Sequence, residues 1–204
     1  MPDQAPPNRR DEYAEMTRQE VIRAARKLFA ADGYEQTTVG RIASEARVSP
    51  ATVYAQCGGK EGLLQALMDL WTTSDLVTRI IADCAAAPTG RAKLATLADG
   101  YVELYAHDQD IIRIVTRAAA SAPPAADFLG IADQRHQEAL AIIVEGIREV
   151  GDLAEGLSVD DAARIIFFHF RHPQFSLAVD TFDWGVERSR QWLLERVEAA
   201  VLRS

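Results

Sequence analysis

The sequence predicts an all-α protein of about nine or ten helices, a small three-helix domain followed by a larger helical one. Three observations predict it. Apolar residues recur at helical spacing along almost the whole chain, and no stretch alternates with the period of two that a half-buried strand requires. Helix-start signals are frequent: Thr17-Arg-Gln-Glu20 has the form of a capping box, Ser49-Pro50 sets an N-cap before a first-turn proline, and Ser158-Val-Asp-Asp161 is a further N-cap. With 204 residues, 48% of them hydrophobic and 25% charged, the chain can also bury a sizeable core.

In chain order, Met1 to Arg10 is Pro-rich and polar and has no apolar stretch like that of a secretory signal, so residues 1–16 are expected to form a disordered arm. Arg9 and Arg10 could act there as a basic arm, though a plain tail is the simpler reading. The first helix is expected from Thr17, with Val21, Ala25, Leu28 and Phe29 on one face and Gly33 as its C-terminal cap. A short helix after Thr38 carries Val39, Ile42, Ala43 and Ala46. The next runs from Pro50 to about Gln56 and stops before Gly58-Gly59. Lys60 to about Ala85 reads as one long helix, broken by Pro88-Thr-Gly90. Further helices are expected at 91–106, 109–120, 124–150, 158–171 and 185–202. The expected division is a head over residues 17–62 and a body over 63–204.

Composition removes several classes of function. No apolar run approaches the roughly 18–20 residues needed to cross a bilayer, so a cytoplasmic protein with no membrane partner is expected. Cys57 and Cys84 fall on helical segments without metal spacing, which argues against a disulfide framework. There is no Gly-rich phosphate loop, nucleophile elbow, His-Glu-x-x-His or plausible triad, so neither an enzyme nor a cofactor is expected. His169 and His172 are three apart and His107 precedes an acidic pair, but a metal needs a third converging ligand; no metal site is expected.

The net charge of −8 divides unevenly. Arg9 to Lys60 has nine basic and seven acidic residues, +2; Glu61 to Ser204 has thirteen and twenty-two, −9; Asp3 supplies the rest. A mildly basic head on an acidic body suits a head that meets phosphates and a body that they repel.

The segment Thr37-Thr-Val-Gly-Arg-Ile-Ala-Ser-Glu-Ala-Arg-Val-Ser-Pro-Ala-Thr-Val-Tyr54, then Gly58-Gly-Lys-Glu-Gly-Leu-Leu64, narrows the field. Two short helices joined by a tight turn have the helix-turn-helix layout. Ile42, Ala43, Val48 and Val53 have the spacing to pack the helices together, leaving Pro50, Ala51, Thr52, Tyr54 and Ala55 to face outward. Small side chains at Ala51 and Ala55 let a backbone approach base edges, and the hydroxyls of Thr52 and Tyr54 can bond phosphates. Lys60 adds a positive charge at a helix N-terminus.

This segment resembles the DNA-binding domain of the TetR (tetracycline repressor) family, with its T-x-x-x-I-A-x-x-A-G-V-S-x-x-T-x-Y-x-x-F-x-x-K-E-x-L pattern, over residues of about 17 to 67. The Phe29 and Gly33-Tyr34 landmarks of the preceding helix agree. The resemblance implies that Thr38 caps a helix at the DNA backbone and that Thr52, Tyr54 and Lys60 reach phosphates. It places Arg41, Pro50 and Ala51 at base or groove positions, and Ser49 and Arg47 complete the expected DNA-contacting set. Two departures stand out. Arg47 replaces the family's turn glycine, costing about 1 kcal/mol or more if the position is left-handed, or adding a phosphate contact. Gln56-Cys57 replaces the usual His-Phe pair.

Beyond residue 70 the resemblance thins, although His172 to Leu194 is similar to the C-terminal part of many actinobacterial members. It implies a homodimer whose last two long helices pair with their copies, with Val159, Ala162, Ile166, Phe170, Trp192 and Val197 at the interface. It also implies a pocket for a small-molecule effector between residues of about 60 and 171. Trp71, Tyr101, Tyr105, Phe128 and Phe167 are its candidate lining and Arg113 a candidate anion contact, with ordinary core or solvated edge as the competing reading of each. The implied function is a repressor that leaves double-stranded operator DNA when it binds a small hydrophobic or amphipathic ligand. Activation, or an architectural DNA protein without a ligand, are the alternatives.

Overall fold

The structure is a computed structural model and describes residues 9–203. Residues 1–8 of the expected arm lie outside the described residues. The helices are α1 (Arg9–Asp32), α2 (Val39–Glu45), α3 (Pro50–Cys57), α4 (Gly59–Thr72), α5 (Asp75–Ala86), α6 (Gly90–Ala119), α7 (Pro123–Glu149), α8 (Val159–Phe170), α9 (His172–Ser176) and α10 (Gly185–Val201). A π-helical turn, Leu177–Thr181, follows α9. Among the described residues strand-type pairing is limited to one isolated bridge, Leu153 with Leu202, so the fold is all-α.

The chain divides into two compact units, Met1–Trp71 with Asp110–Leu129, and Thr72–Gln109 with Gly130–Ser204. We call them the head and the body. The sequence set the boundary at residue 62; α4 instead stays with the head as far as Trp71, and the end of α6 and start of α7 belong to it too.

Three helix boundaries differ from expectation, each for a local reason. Thr17 does not cap α1. Its Oγ1 donates to the Tyr13 carbonyl one turn back at 2.8 Å, inside a helix that already runs from Arg9, so residues 9–16 are helical and not a coiled arm. The expected long helix from Lys60 is two, because Ser74 takes an extended conformation and its side chain accepts from the Val77 N–H, starting α5 afresh. Conversely, 91–106 and 109–120 are one helix: the polar stretch from His107 to Asp110 stays helical, with Asp108 only 2% exposed and Ile111 fully buried.

The head core gathers Val21, Ala25 and Phe29 of α1, Ile42 and Ala43 of α2, Val53 of α3 and Leu63, Leu64 and Leu67 of α4. Within the head, Arg26 of α1 grips Asp110 of α6 with two 2.6 Å hydrogen bonds. That guanidinium, more than any other influence, holds the Asp110 carboxyl below its ordinary pKa.

The body core joins Leu94, Leu97 and Ala98 of α6, Leu140, Val144 and Ile147 of α7, Ala162, Ile166 and Phe170 of α8, and Leu193 and Val197 of α10. Lys93, 4% exposed, donates to the Cys84 and Ala85 carbonyls at 3.1 and 2.9 Å, capping the C-terminal end of α5 with a cation. The C-terminus is clasped: Ala154 N–H donates to Val201 O, Arg203 N–H donates to Asp152 O, and the Asp152 carboxylate accepts from Gly90 N–H at 2.6 Å.

Candidate nucleic-acid interface

Thr38 is the N-cap of α2, its hydroxyl accepting from Arg41 N–H, and Ser49 is the N-cap of α3, accepting from Thr52 N–H at 3.1 Å. Between them the chain turns at Arg47, where Val48 N–H reaches back to Ala43 O at 2.9 Å. That turn puts Arg47 at φ 56°, the left-handed region where a side chain is strained. The sequence raised this conformation for the missing glycine, and the chain adopts it.

Val53 is fully buried against the head core while Ser49, Pro50, Ala51, Tyr54 and Ala55 are exposed and Thr52 is half-buried. One face of α3 is therefore apolar and packed, and the other offers small side chains and hydroxyls to solvent. The Ser49 and Thr52 hydroxyls lie 2.9 Å apart. Just after α3 the chain makes a close passage: a Cβ on Gly59, at φ 81°, would come within 2.8 Å of the Tyr54 ring, and one on Gly62 within 1.9 Å of the Cys57 carbonyl oxygen. Gly59 lets the Tyr54 ring come close to the start of α4, and Gly62 lets α4 pass the Cys57 carbonyl. Burial pushes the pKa of the half-buried Cys57 thiol up, which suits an inert packing role.

Two expected contact residues have protein partners here. Arg41 pairs with Asp32 of α1 at 2.8 Å. Lys60 donates to the Glu35 carbonyl at 3.4 Å and lies 4.4 Å over the Tyr34 ring. Burial raises the Tyr34 pKa. Sequence reasoning missed Thr37: fully buried, its hydroxyl sits 2.8 Å from Gly33 O and 3.3 Å from Leu28 O, and so fixes the end of α1 beside the α2 cap. It stood beside Thr38 in the motif, and only its burial separates their roles.

Of the expected pocket residues, Tyr101, Tyr105 and Phe167 lie in the body, and Trp71, Arg113 and Phe128 in the head, so the six do not share one unit. Arg113 is exposed. The body trio belongs to a polar–aromatic cluster. Tyr101 hydrogen-bonds the His136 imidazole and packs on Phe170 at 5.0 Å, and Phe167 meets His136 edge-on at 5.0 Å. Tyr105 donates to Asp180 at 2.9 Å, stacks on His172 at 5.7 Å and meets Phe175 at 5.1 Å. Arg171 binds Asp133 through two hydrogen bonds and lies over Phe167. Burial first, then the nearby Arg171 charge, pushes the His136 pKa down to about 4, and burial pushes that of Tyr101 far up. Both rings are thus neutral, Tyr101 donating to an imidazole nitrogen. Sequence reasoning missed His136, which sits in a run of polar residues, Asp133 to Glu138, with nothing to mark it as buried. Its other histidine candidates have local partners: His169 bonds the Ile165 carbonyl and His172 the Ser176 hydroxyl.

The expected dimer-interface set needs correction. Ala162, Ile166, Phe170 and Val197 are fully buried in the body's own core, and Val159 packs partly against it. α8 is apolar on more than one side, and the side chosen from the sequence is the inward one. Facing out are Phe168, 64% exposed, and Trp192, 42% exposed, the latter set edge-on to Trp184.

Residues 21–67 match the family model of bacterial regulatory proteins of the tetR family. The fatty acid metabolism regulator protein of Bacillus subtilis (strain 168) is 28% identical over 158 residues, covering 72% of this chain and 76% of its own length. Among solved structures, the regulator FadR from Bacillus subtilis in complex with stearoyl-CoA superposes with a TM-score of 0.75 at 23% identity, covering 89% of this chain and 97% of that one. A transcriptional regulator from Saccharomonospora viridis in complex with choline gives 0.75 at 18% identity, covering 93% and 100%. At these identities the solved structures establish the fold: an N-terminal helix-turn-helix domain on a helical body. No described helix is long and apolar enough to cross a membrane. Helix-turn-helix geometry and family match agree over residues 21–67, and this segment is a helix-turn-helix domain like those of the bacterial regulatory proteins of the tetR family.

Proposed function

We propose that the chain is a dimeric repressor that binds double-stranded operator DNA through α3 and is released by a small hydrophobic or amphipathic ligand held in the body. The exposed face of α3, with Val53 locked beneath it, supports this reading most directly. A helix presented this way enters a major groove, with Pro50 and Ala51 near base edges and Thr38, Ser49, Thr52 and Tyr54 at phosphates. Arg47, held outward by the turn, supplies one phosphate contact. Arg41 and Lys60 join on exchanging their partners, Asp32 and the Tyr34 ring, for DNA. Two half-sites read by two heads require a dimer, and exposed Phe168 and Trp192 are suited to pairing two bodies.

α6 links ligand to DNA in this reading, since its first part belongs to the body and its last part, with Asp110 and its grip on Arg26, to the head. A ligand that favours a different setting of α6 needs a coupling of about 1–3 kcal/mol to be useful. The neighbouring structures hold ligands as different as an acyl-CoA and choline, so effector class must come from this chain's own residues.

The test is fluorescence anisotropy of the full chain on DNA flanking its own gene, over a salt series. Sequence-selective binding by two protomers per site, weakening steeply with salt, is expected. Binding equal to that of random DNA would refute the repressor assignment for that DNA. A protein that binds selectively but that no ligand library stabilises on heating would be the ligand-free architectural alternative.

A further inference from the structure

Basic residues outnumber acidic ones by only two from Arg9 to Lys60, a small surplus for a surface that is to meet a polyanion. Ion pairs reduce it further. Arg18, Arg23, Arg26, Lys27 and Arg41 each meet a carboxylate, at 3.9, 2.5, 2.6, 2.6 and 2.8 Å. In the first four of these pairs the cation belongs to α1. In the last it is Arg41 of α2, the opening helix of the helix-turn-helix, and its partner is Asp32, the last residue of α1.

The structural tasks near Asp32 are carried by other residues. Gly33 N–H closes α1 on the Phe29 carbonyl, Thr37 fixes the turn that follows, and the Thr38 hydroxyl caps α2 at Arg41 N–H. The Asp32–Arg41 pair itself is open to solvent, with 34% of the Asp32 and 52% of the Arg41 side chain exposed. Pairs so placed add little to stability, because water screens them and two side chains must be held in one geometry. What this pair does is cancel the charge of α2's arginine.

We propose that the Asp32 carboxylate is an internal competitor for DNA, holding the Arg41 guanidinium as a backbone phosphate would and so lowering the affinity of the head for DNA of any sequence. A guanidinium bonds a carboxylate and a phosphate through the same donors, so closing on DNA exchanges one anion for another. The exchange also leaves Asp32 as an unpaired carboxylate beside the phosphates, where it draws back a counterion. The release of counterions that drives sequence-independent binding is thus lost for this one contact. Affinity is left to the contacts of α3, which carry the sequence information. The inference rests on the reading of α2 and α3 as the DNA-binding unit and adds to it a residue that opposes binding.

The test is anisotropy of the full chain on a random-sequence duplex over a salt series. Asp32→Asn should steepen the dependence of log K on log salt by about 0.9, one phosphate contact, and so bind about eightfold more tightly near 0.1 M salt. Adding Arg41→Gln should return slope and affinity to those of the parent, since neither the ion pair nor the two amides carry net charge. Glu20→Gln makes the same charge change and frees Arg23 of α1, and should leave the slope unaltered. Asp32→Glu, which keeps a carboxylate, should bind like the parent, and every variant should melt close to it. An unchanged slope in Asp32→Asn, a gain that survives Arg41→Gln, an equal gain in Glu20→Gln, or an Asp32→Asn protein that melts well below the parent each overturns the competitor. The same titrations on DNA flanking the gene separate this inference from the reading beneath it. Selective binding there without any gain from Asp32→Asn discards the competitor and keeps the repressor. The expected gains on the random duplex, with no preference for the flanking DNA, keep the competitor and refute the repressor assignment for that DNA.

Discussion

The head and the body use polar groups in opposite ways. Among the described residues of the head the buried polar side chain is Thr37, whose hydroxyl is matched by two carbonyls; the charged pairs Lys27–Glu45 and Arg41–Asp32 lie at the surface, and Arg26–Asp110 is partly shielded. The body buries Lys93, Asp108 and Ser189, encloses the Tyr101–His136 hydrogen bond and partly shields the Arg171–Asp133 pair. An apolar core with surface charges gives one rigid geometry, which a helix that must fit a groove requires. Polar groups in a low dielectric interact strongly and are costly when mismatched, so their balance shifts when a ligand adds or removes a partner. A unit built that way is fitted to respond.

The rigidity of the head is tested hardest at Gly62. A methyl there would stand 1.9 Å from the Cys57 carbonyl oxygen, a backbone atom that moves only if the α3–α4 junction moves. Gly62→Ala should destabilise the protein by about 3 kcal/mol and abolish selective DNA binding, read by chemical denaturation and anisotropy. A variant with parental stability would show that the junction is soft and would break the contrast.

The responsiveness of the body is tested at His136. Its folded pKa of about 4 lies below the ordinary value of 6.5 because burial disfavours the imidazolium. Between those values the unfolded chain binds the extra proton, so the contribution is complete above pH 6.5 and is lost as pH falls towards 4. At pH 5 the loss should be about 2 kcal/mol relative to pH 7. His136→Gln, which keeps an acceptor for Tyr101 without titrating, should flatten stability over that window. If parent and variant lose stability in parallel between pH 7 and 5, His136 is not the buried neutral partner described.

How much of this was legible follows from where the information resides. α2 and α3 were readable because their limits are set by residues in direct sequence: Thr38 and Ser49 cap, Pro50 opens, and Gly58 closes at φ 69°. The break before α5 was not, because Ser74 inside an apolar period looks like any tolerated polar residue until its side chain is seen accepting from Val77. The face of α8 was misassigned for a different reason. Phe167, Phe168 and Phe170 surround the helix with aromatic rings, and only the placement of α10 settles that Phe170 goes in and Phe168 out. His136 and Asp108 were invisible because burial of a polar residue depends on neighbours far away in sequence.

The smallest effect tests whether the head trades rigidity for binding. Arg47 stands at φ 56° where the family pattern has glycine, a strain of about 1 kcal/mol for a residue with a Cβ. Its side chain is exposed, and among the described residues no hydrogen bond or ion pair holds that side chain. Arg47→Gly should therefore raise stability by a few tenths of a kcal/mol, since relief of the strain is largely offset by the extra freedom of glycine in the unfolded chain. If Arg47 meets a phosphate, the same variant should weaken binding to every DNA sequence alike and lower the salt dependence by about one counterion. A gain in stability with an unchanged salt slope would leave the strain real and remove Arg47 from the interface. No gain in stability would mean the turn tolerates the side chain and that the head is less tightly constrained than its packed face of α3 suggests.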